Sequence, residues 1–305
     1  MDTIKKASVA DLLLVGFTAL IWGSSFTAIK VAVPEAGPYW LAAIRVVIGF
    51  AVLLPYAIWR GFVFPTSART WLLLILMAAF NVVVPFLLIS WAELSIDAGV
   101  TSLLMGTGPF LALVGSHIFT HDDKLTPTKA LGVLLGFLGV LTIVGFDAVA
   151  GIGRSNMLAQ LACFLGSLSY VISGLLVRRI DIPPGRLACL ALGVSSLFLV
   201  AISLIADGPP PLDLSAMAGF ALVYLGLIPT GFAYLLRFHL IRKIGYSTFA
   251  VGLNLIPVFG ILLGVLVLGE TLSLRVLVAL MLVVCGLFAT RLGTKSQPMG
   301  TTAHD

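Results

Sequence analysis

Two asparagines lie inside long apolar runs of the sequence, each about one helical turn before a proline. Asn81 precedes Pro85 by four residues. Asn254 precedes Pro257 by three. A proline inside a helix removes a backbone hydrogen bond and leaves a carbonyl that hydrocarbon does not satisfy. Because a polar side chain at membrane depth is also costly, both positions predict the wall of a solute-binding cavity. The alternative is a packing kink whose asparagine bonds to a neighbouring helix.

Aromatic and hydroxyl side chains inside these runs suit a pocket that is mostly apolar with a few aimed polar contacts. Trp22 and Tyr170 are 148 residues apart and lie a few residues inside their runs, so we favour both as pocket residues. Trp91 ends a run, where an interfacial aromatic belt is an alternative explanation. The predicted substrate-binding residues are Trp22, Ser24, Ser25, Asn81, Trp91, Tyr170, Tyr234 and Asn254. The predicted helix breaks that serve gating are Pro85, Pro109, Pro229 and Pro257.

Two basic residues, Lys30 and Arg45, lie about one turn inside the edges of the first two runs. Either could attract a substrate carboxylate. For Lys30 we expect the ammonium group to reach back to the membrane surface instead. Arg45 has a structural alternative, which is pairing with a carboxylate such as Glu35 or Glu93.

Acidic residues are confined to the edges of the runs, at Asp11, Glu93, Asp97 and Asp147. A proton-coupled pump or a cation exporter usually places a carboxylate in the transport path. The sequence therefore predicts a neutral or zwitterionic solute that moves without proton coupling. A carrier of drug cations is one alternative. A carrier of nucleotide sugars or phosphate esters is another, and it would need several basic residues at membrane depth.

Motifs for catalysis or metal binding are absent from the sequence. It contains no H-E-x-x-H, no Walker loop and no C-x-x-C. Gly193-Val194-Ser195-Ser196 loosely resembles a serine-hydrolase motif, but the nearest candidate base, His239, lies at the end of a run. We predict no catalytic residue, no metal and no cofactor. A channel or receptor is the alternative class.

The composition of this chain is typical of a protein that lies in a lipid bilayer. Of its 305 residues, 60% are hydrophobic and 10% are charged, whereas soluble domains carry roughly 25% charged residues. The net charge of +5 is spread over short links, which does not indicate a nucleic-acid partner. Ten apolar runs are long enough to cross a bilayer as helices. They are Leu12–Val33, Trp40–Trp59, Trp71–Ser90, Gly99–Phe119, Thr128–Phe146, Met157–Val177, Leu187–Ala206, Ala216–Phe238, Tyr246–Leu268 and Leu274–Thr290.

The second half of the sequence repeats features of the first. Pro109 corresponds to Pro257 at an offset of 148, and Gly139 corresponds to Gly286 at 147. Because each copy holds five runs, an odd number, the second copy enters the membrane from the opposite side. The predicted fold is an all-α integral membrane protein of ten transmembrane helices in two inverted five-helix repeats, with the site where the copies meet. Its parts are an N-terminus (1–11), a first repeat (12–146), a linker (147–156), a second repeat (157–291) and a tail (292–305).

Basic residues predict the orientation in the membrane. With the N-terminus in the cytoplasm, 14 of the 18 Lys and Arg residues lie on the inner side, so both termini are expected to be cytoplasmic. Small residues at Gly132, Gly136 and Gly139 suit helix sliding, static packing or dimerisation. The expected partners are a small-molecule substrate and the lipid bilayer, and the chain is a monomer or a homodimer.

Several of these residues together resemble a known family. Ile21-Trp22-Gly23-Ser24-Ser25-Phe26, Arg45, Pro109, the links Asp123-x-Leu125-Thr126 and Gly269-Glu270-Thr271-Leu272, and the late glycines Gly139 and Gly286 are similar to the EamA family of the drug/metabolite transporter superfamily. The resemblance extends from about Leu12 to Arg291. It implies a ten-helix carrier of the inner membrane, often an exporter of amino acids or related metabolites, of which the aromatic-amino-acid exporters are one type.

Overall fold

The computed structural model describes residues 7–119, 126–149, 154–177, 179–244, 249 and 252–295. All regular secondary structure in these ranges is helical. The α-helices are α1 (Val9–Trp59), α2 (Ala68–Ala78), α3 (Val84–Ala92), α4 (Ala98–Met105), α5 (Gly108–Phe119), α6 (Pro127–Val149), α7 (Arg154–Val177), α8 (Pro184–Ala206), α9 (Ala216–Leu225), α10 (Ala233–Ile244), α11 (Ile256–Leu268) and α12 (Leu274–Lys295). Two π-helical turns, Ala79–Val83 and Gly226–Phe232, connect α2 to α3 and α9 to α10.

Six helical segments in the described ranges are long and apolar enough to cross a membrane, and three further apolar helices are shorter. At 51 residues, α1 is long enough to cross twice, since about 20 helical residues span the hydrocarbon. The chain is therefore an all-helical, multi-pass membrane protein. Ten crossings in inverted repeats remain a prediction.

The first two predicted runs are joined differently from our expectation. We expected a link between Val33 and Trp40, but helix continues on both sides of one non-helical residue, Gly37, with φ 68° and ψ 159°. Trp22 before this break and Arg45 after it bond to adjacent residues of one π-helical turn. The chain therefore turns back at Gly37, where the positive φ favours glycine.

Helices from corresponding apolar runs of the two halves pack against each other. The helix α6 packs along α12, α4 packs along α11, and α1 packs along α8. At the α6–α12 crossing, a Cβ atom on Gly132 would meet the carbonyl oxygen of Gly286. The small-residue stripe that left dimerisation open thus lies against α12 of the same chain, which accounts for it by internal packing.

The predicted break in the fourth run is present, because α4 ends at Met105 and α5 begins at Gly108. Its counterpart lies at Asn254 and Leu255, immediately before α11. These two breaks touch, since a Cβ on Gly106 would enter the ring of Pro257. The structure thus brings the repeated breaks into direct contact.

Candidate functional site

Arg45 on α1 is a buried basic residue with few hydrogen-bond acceptors. Its side chain is buried, with 6% of its surface exposed. The Nε and Nη2 groups both donate to Thr230 Oγ1 at 3.3 Å, and Cζ lies 4.1 Å from the centroid of the Phe86 ring. Within the described ranges, no carboxylate forms an ion pair with this guanidinium. Because a guanidinium carries five donors in a planar fork, one shared hydroxyl leaves it suited to a carboxylate ligand.

A π-helical turn positions the partner of Arg45. In Gly226–Phe232, Pro229 supplies no N–H, and Thr230 Oγ1 donates to the carbonyl oxygen of Leu225 at 2.8 Å. A Cβ atom on Gly226 of the turn would collide with Ile48 of α1. A Cβ atom on Gly49 of α1 would likewise collide with the side chain of Thr230. These glycines let α1 approach the turn closely, so the guanidinium reaches the hydroxyl.

The indole of Trp22 forms a hydrogen bond with the carbonyl of the same proline. Its Nε1 donates to Pro229 O at 3.0 Å. The ring meets Tyr234 and Phe249 edge to face, with centroids 6.4 and 6.1 Å apart. The Cζ of Arg237 lies 5.9 Å from the centroid of the Tyr234 ring. The carbonyl of Pro229, an indole and two further rings thus form one wall of the site.

Two of the predicted tyrosines lie near Arg45. Tyr170 on α7 and Tyr234 on α10 both lie within electrostatic range of the guanidinium. Tyr170 is half-buried and packs against the core cluster that contains Phe26 and Ile89. Three predicted binding residues, Trp22, Tyr170 and Tyr234, therefore lie near Arg45. Arg45 itself was not among the predicted binding residues.

The predicted serines are engaged locally. Ser24 Oγ donates to Ile21 O at 2.7 Å and lies 2.5 Å from the hydroxyl of Tyr224. Ser25 Oγ donates to the same carbonyl at 3.3 Å and is buried. The Ser24 hydroxyl therefore links α1 to α9, whereas the Ser25 hydroxyl bonds within α1.

The positions of the other predicted residues differ in exposure. Trp91 is 40% exposed at the end of α3. Asn81 is half-buried in the turn Ala79–Val83, Asn254 is half-buried in the turn before α11, and Pro109 is exposed on α5. Among the described residues, no hydrogen bond or ring contact joins any of them to Arg45. Pro85 is buried in the first turn of α3, one residue before Phe86.

The ammonium group of Lys30 lies at the C-terminal end of α3, and its position relative to the membrane surface stays a prediction. Its Nζ donates to the carbonyl oxygens of Glu93 at 2.8 Å and Ile96 at 2.7 Å. Carbonyls at the C-terminal end of a helix lack intrahelical partners and carry partial negative charge, so a cation there is favourable. Lys30 therefore closes the end of α3.

Glu93 lies at the end of α3 and is buried. Only 1% of its surface is accessible, and neither Oε atom has a hydrogen-bond partner within the described ranges. Ser90, fully buried on the same helix end, also has an unpartnered Oγ. Lys30, Glu270 and Arg45 lie within electrostatic range of the carboxylate. The sequence placed Glu93 correctly at the end of a run, but a position there does not reveal whether the helix end points into the protein.

A second carboxylate, Glu270, caps α4 from the opposite half of the chain. Its Oε1 accepts from the N–H of Ala98 at 2.7 Å, and Oε2 accepts from that of Gly99 at 2.9 Å. Burial raises the pKa of Glu270, while these two N–H donors act in the opposite direction. A Cβ on Gly264 would collide with this carboxylate, so the glycine admits it.

A polar pocket or a metal centre among the described residues would be a competing site. A concave surface beside α12 is lined by apolar side chains such as Leu135, Leu277 and Met281. In the described part of the chain, no group of three or more His, Cys, Asp or Glu residues could hold a metal ion. The buried polar groups around Arg45 are therefore the candidate site.

Apolar helices that break at prolines around buried polar side chains are typical of proteins that move solutes across membranes. The chain belongs to the EamA-like transporter family, whose model matches residues 10–145 and again residues 157–292. The residues that suggested this family by resemblance therefore led to the correct family.

Relatives with curated names are transporters as well. The chain is 26% identical to the uncharacterized transporter YoaV of Bacillus subtilis, over 88% of this chain and 92% of that one. It is also 26% identical to the uncharacterized inner membrane transporter YedA of Escherichia coli, over 90% and 88% of the two chains. A solved crystal structure with 21% identity matches at a TM-score of 0.66 and covers 95% of this chain, which shows a shared fold.

Proposed function

We propose that this protein is a secondary transporter that exports amino acids or similar small zwitterionic metabolites across the cell inner membrane by alternating access. One observation carries the substrate class. The guanidinium of Arg45 is buried, and its only hydrogen-bond acceptor in the described ranges is one threonine hydroxyl. A substrate carboxylate would supply the missing acceptors in a planar geometry that a guanidinium prefers.

The transport mechanism in this proposal follows from the duplicated chain. Two inverted repeats of five helices, 12–146 and 157–291, would provide equivalent gates on the two sides of the membrane. The family match to each half supports the duplication, and the packing of α4 on α11 and α6 on α12 supports a pseudo-two-fold arrangement. Both termini would be cytoplasmic. The named inner membrane relative supports the location.

The rings near Arg45 support an apolar or aromatic side chain on the substrate. Phe86 lies under the guanidinium, and Trp22 with Tyr234 forms the adjacent wall. A phosphate-ester carrier is less well supported, because Lys30 is already committed to two backbone carbonyls. Transport without proton coupling is less well supported, because Glu93, which the sequence placed at the edge of a run, is buried.

Counterflow in proteoliposomes tests this proposal. Vesicles loaded with unlabelled L-phenylalanine should accumulate the labelled compound, and neutral amino acids should compete better than glutamate, lysine, phosphate esters or organic cations. Trp22→Ala should abolish uptake. Trp59→Ala should leave it unchanged, because Trp59 is 77% exposed at the end of α1. Competition by phosphate esters or cations, with none by amino acids, would overturn the substrate class.

A further inference from the structure

Two side chains of α3 and the residue that ends this helix indicate the rest of the recognition site. Phe86, Ser90 and Glu93 are spaced four and three residues apart, which places them on one stripe of a helix. All three are buried. Phe86 already contacts the guanidinium of Arg45, whereas Ser90 Oγ and both Oε atoms of Glu93 have no partner within the described ranges.

The nearby cations do not satisfy Glu93. Lys30 directs its ammonium group to the backbone carbonyls of Glu93 and Ile96, and Arg45 directs its donors to Thr230. A carboxylate buried without a donor is strongly unfavourable. The site therefore presents an unpartnered carboxyl group and an undersatisfied guanidinium within electrostatic range of each other.

We propose that Glu93, assisted by Ser90, binds the α-ammonium group of the substrate while Arg45 binds its carboxylate, so that the pair recognises an α-amino acid as a zwitterion. This inference rests on the proposed function and adds the residue that distinguishes an amino acid from a simple carboxylic acid. The three N–H donors of an ammonium match the two Oε atoms and the one Oγ that lack partners.

The geometry of α3 favours this division of the substrate. Seven residues separate Phe86 from Glu93, a rise of roughly 10 Å. Helical side chains tilt toward the N-terminus of their helix, so Glu93 leans toward Phe86 and Arg45. The two charged ends of an amino acid then lie between oppositely charged side chains, and net charge in the buried site is unchanged by binding.

Three matched compounds separate the two interactions: L-phenylalanine, 3-phenylpropanoate, which lacks the ammonium group, and phenethylamine, which lacks the carboxylate. Each competes for labelled L-phenylalanine counterflow in the wild type and in Glu93→Gln. The wild type should prefer phenylalanine over 3-phenylpropanoate by about 10- to 100-fold, as expected for a charge-assisted hydrogen bond. In Glu93→Gln this preference should collapse to within about threefold.

The preference ratio does not depend on how much protein folds, so reduced yield of the variant does not obscure the result. Asp97→Asn is the matched control, because Asp97 is an exposed carboxylate four residues further along, and it should keep the wild-type ratio. An unchanged ratio in Glu93→Gln, with phenylalanine still transported, would refute the role of Glu93 alone. Absence of phenylalanine exchange in the wild type would instead refute the proposed function.

Discussion

Lys30 and Arg45 lie on opposite sides of the Gly37 break, and their surroundings differ sharply. Lys30 has two backbone carbonyls at 2.8 and 2.7 Å. Arg45 shares one hydroxyl between two donors at 3.3 Å, although it is more deeply buried. One cation is thus satisfied by the fold, and the other is held in the interior without enough acceptors.

This difference distinguishes a structural charge from a functional one. Burying an undersatisfied guanidinium opposes folding, so its retention calls for a compensating role. Lys30 needs no such role, since it satisfies carbonyls that α3 leaves free at its C-terminal end. The comparison predicts that Arg45 variants lose transport and that Lys30 variants lose stability.

Arg45→Gln should produce the largest effect. We expect L-phenylalanine counterflow to fall by about 100-fold, because the bidentate, charge-assisted contact with the substrate carboxylate is lost. The melting temperature of the purified protein should change little, since an unpaired buried charge is removed. A large fall in melting temperature would indicate that Arg45 is structural.

Lys30→Met should show the reverse pattern. Two carbonyls at the end of α3 would lose a charged donor, at a cost of about 2–3 kcal/mol. Thermal unfolding of the detergent-solubilised protein measures this loss. Counterflow per folded molecule should remain within about threefold of the wild type, and a selective loss of substrate affinity would place Lys30 in the site.

Glu270→Ala should have a smaller effect on stability. The N–H groups of Ala98 and Gly99 would lose their carboxylate acceptor, which costs about 1–2 kcal/mol for a helix cap. The control is Glu35→Ala, because Glu35 also accepts from a helix start, at Ser215, but is exposed. The exposed cap should contribute less, and equal losses would contradict the importance of burial.

Trp22→Phe should have the smallest effect. Phenylalanine keeps a ring beside Tyr234 but cannot donate to Pro229 O, which costs about 1 kcal/mol. Thermal unfolding again provides the measurement. A loss as large as that of Trp22→Ala would show that the hydrogen bond, rather than the ring, is the essential contribution of this residue.

The general fold was predictable because apolar length and proline positions are local properties of the sequence. The helix break before Pro109 follows from such signals. The family was predictable because its residues are spread along the whole chain. The extent of α1 was not predictable, because one non-helical residue, Gly37, stands where we expected a link between Val33 and Trp40.

The centre of the candidate site was harder to predict, because burial and pairing of charges depend on tertiary contacts. Lys30 and Arg45 look alike in sequence, since both are basic residues about one turn inside an apolar run. Only the fold shows that carbonyls from the end of α3 meet Lys30. The i, i+4, i+7 spacing of Phe86, Ser90 and Glu93 was the one available signal that Glu93 faces the interior.

Equilibrium binding of L-phenylalanine to purified wild type, Arg45→Gln and Lys30→Met tests the central claim most directly. Isothermal titration calorimetry in detergent provides the affinities without a transport step. We predict that Arg45→Gln binds at least about 30-fold more weakly than the wild type, while Lys30→Met stays within about threefold. Equal affinity in Arg45→Gln and the wild type would contradict the assignment of Arg45 as the carboxylate site.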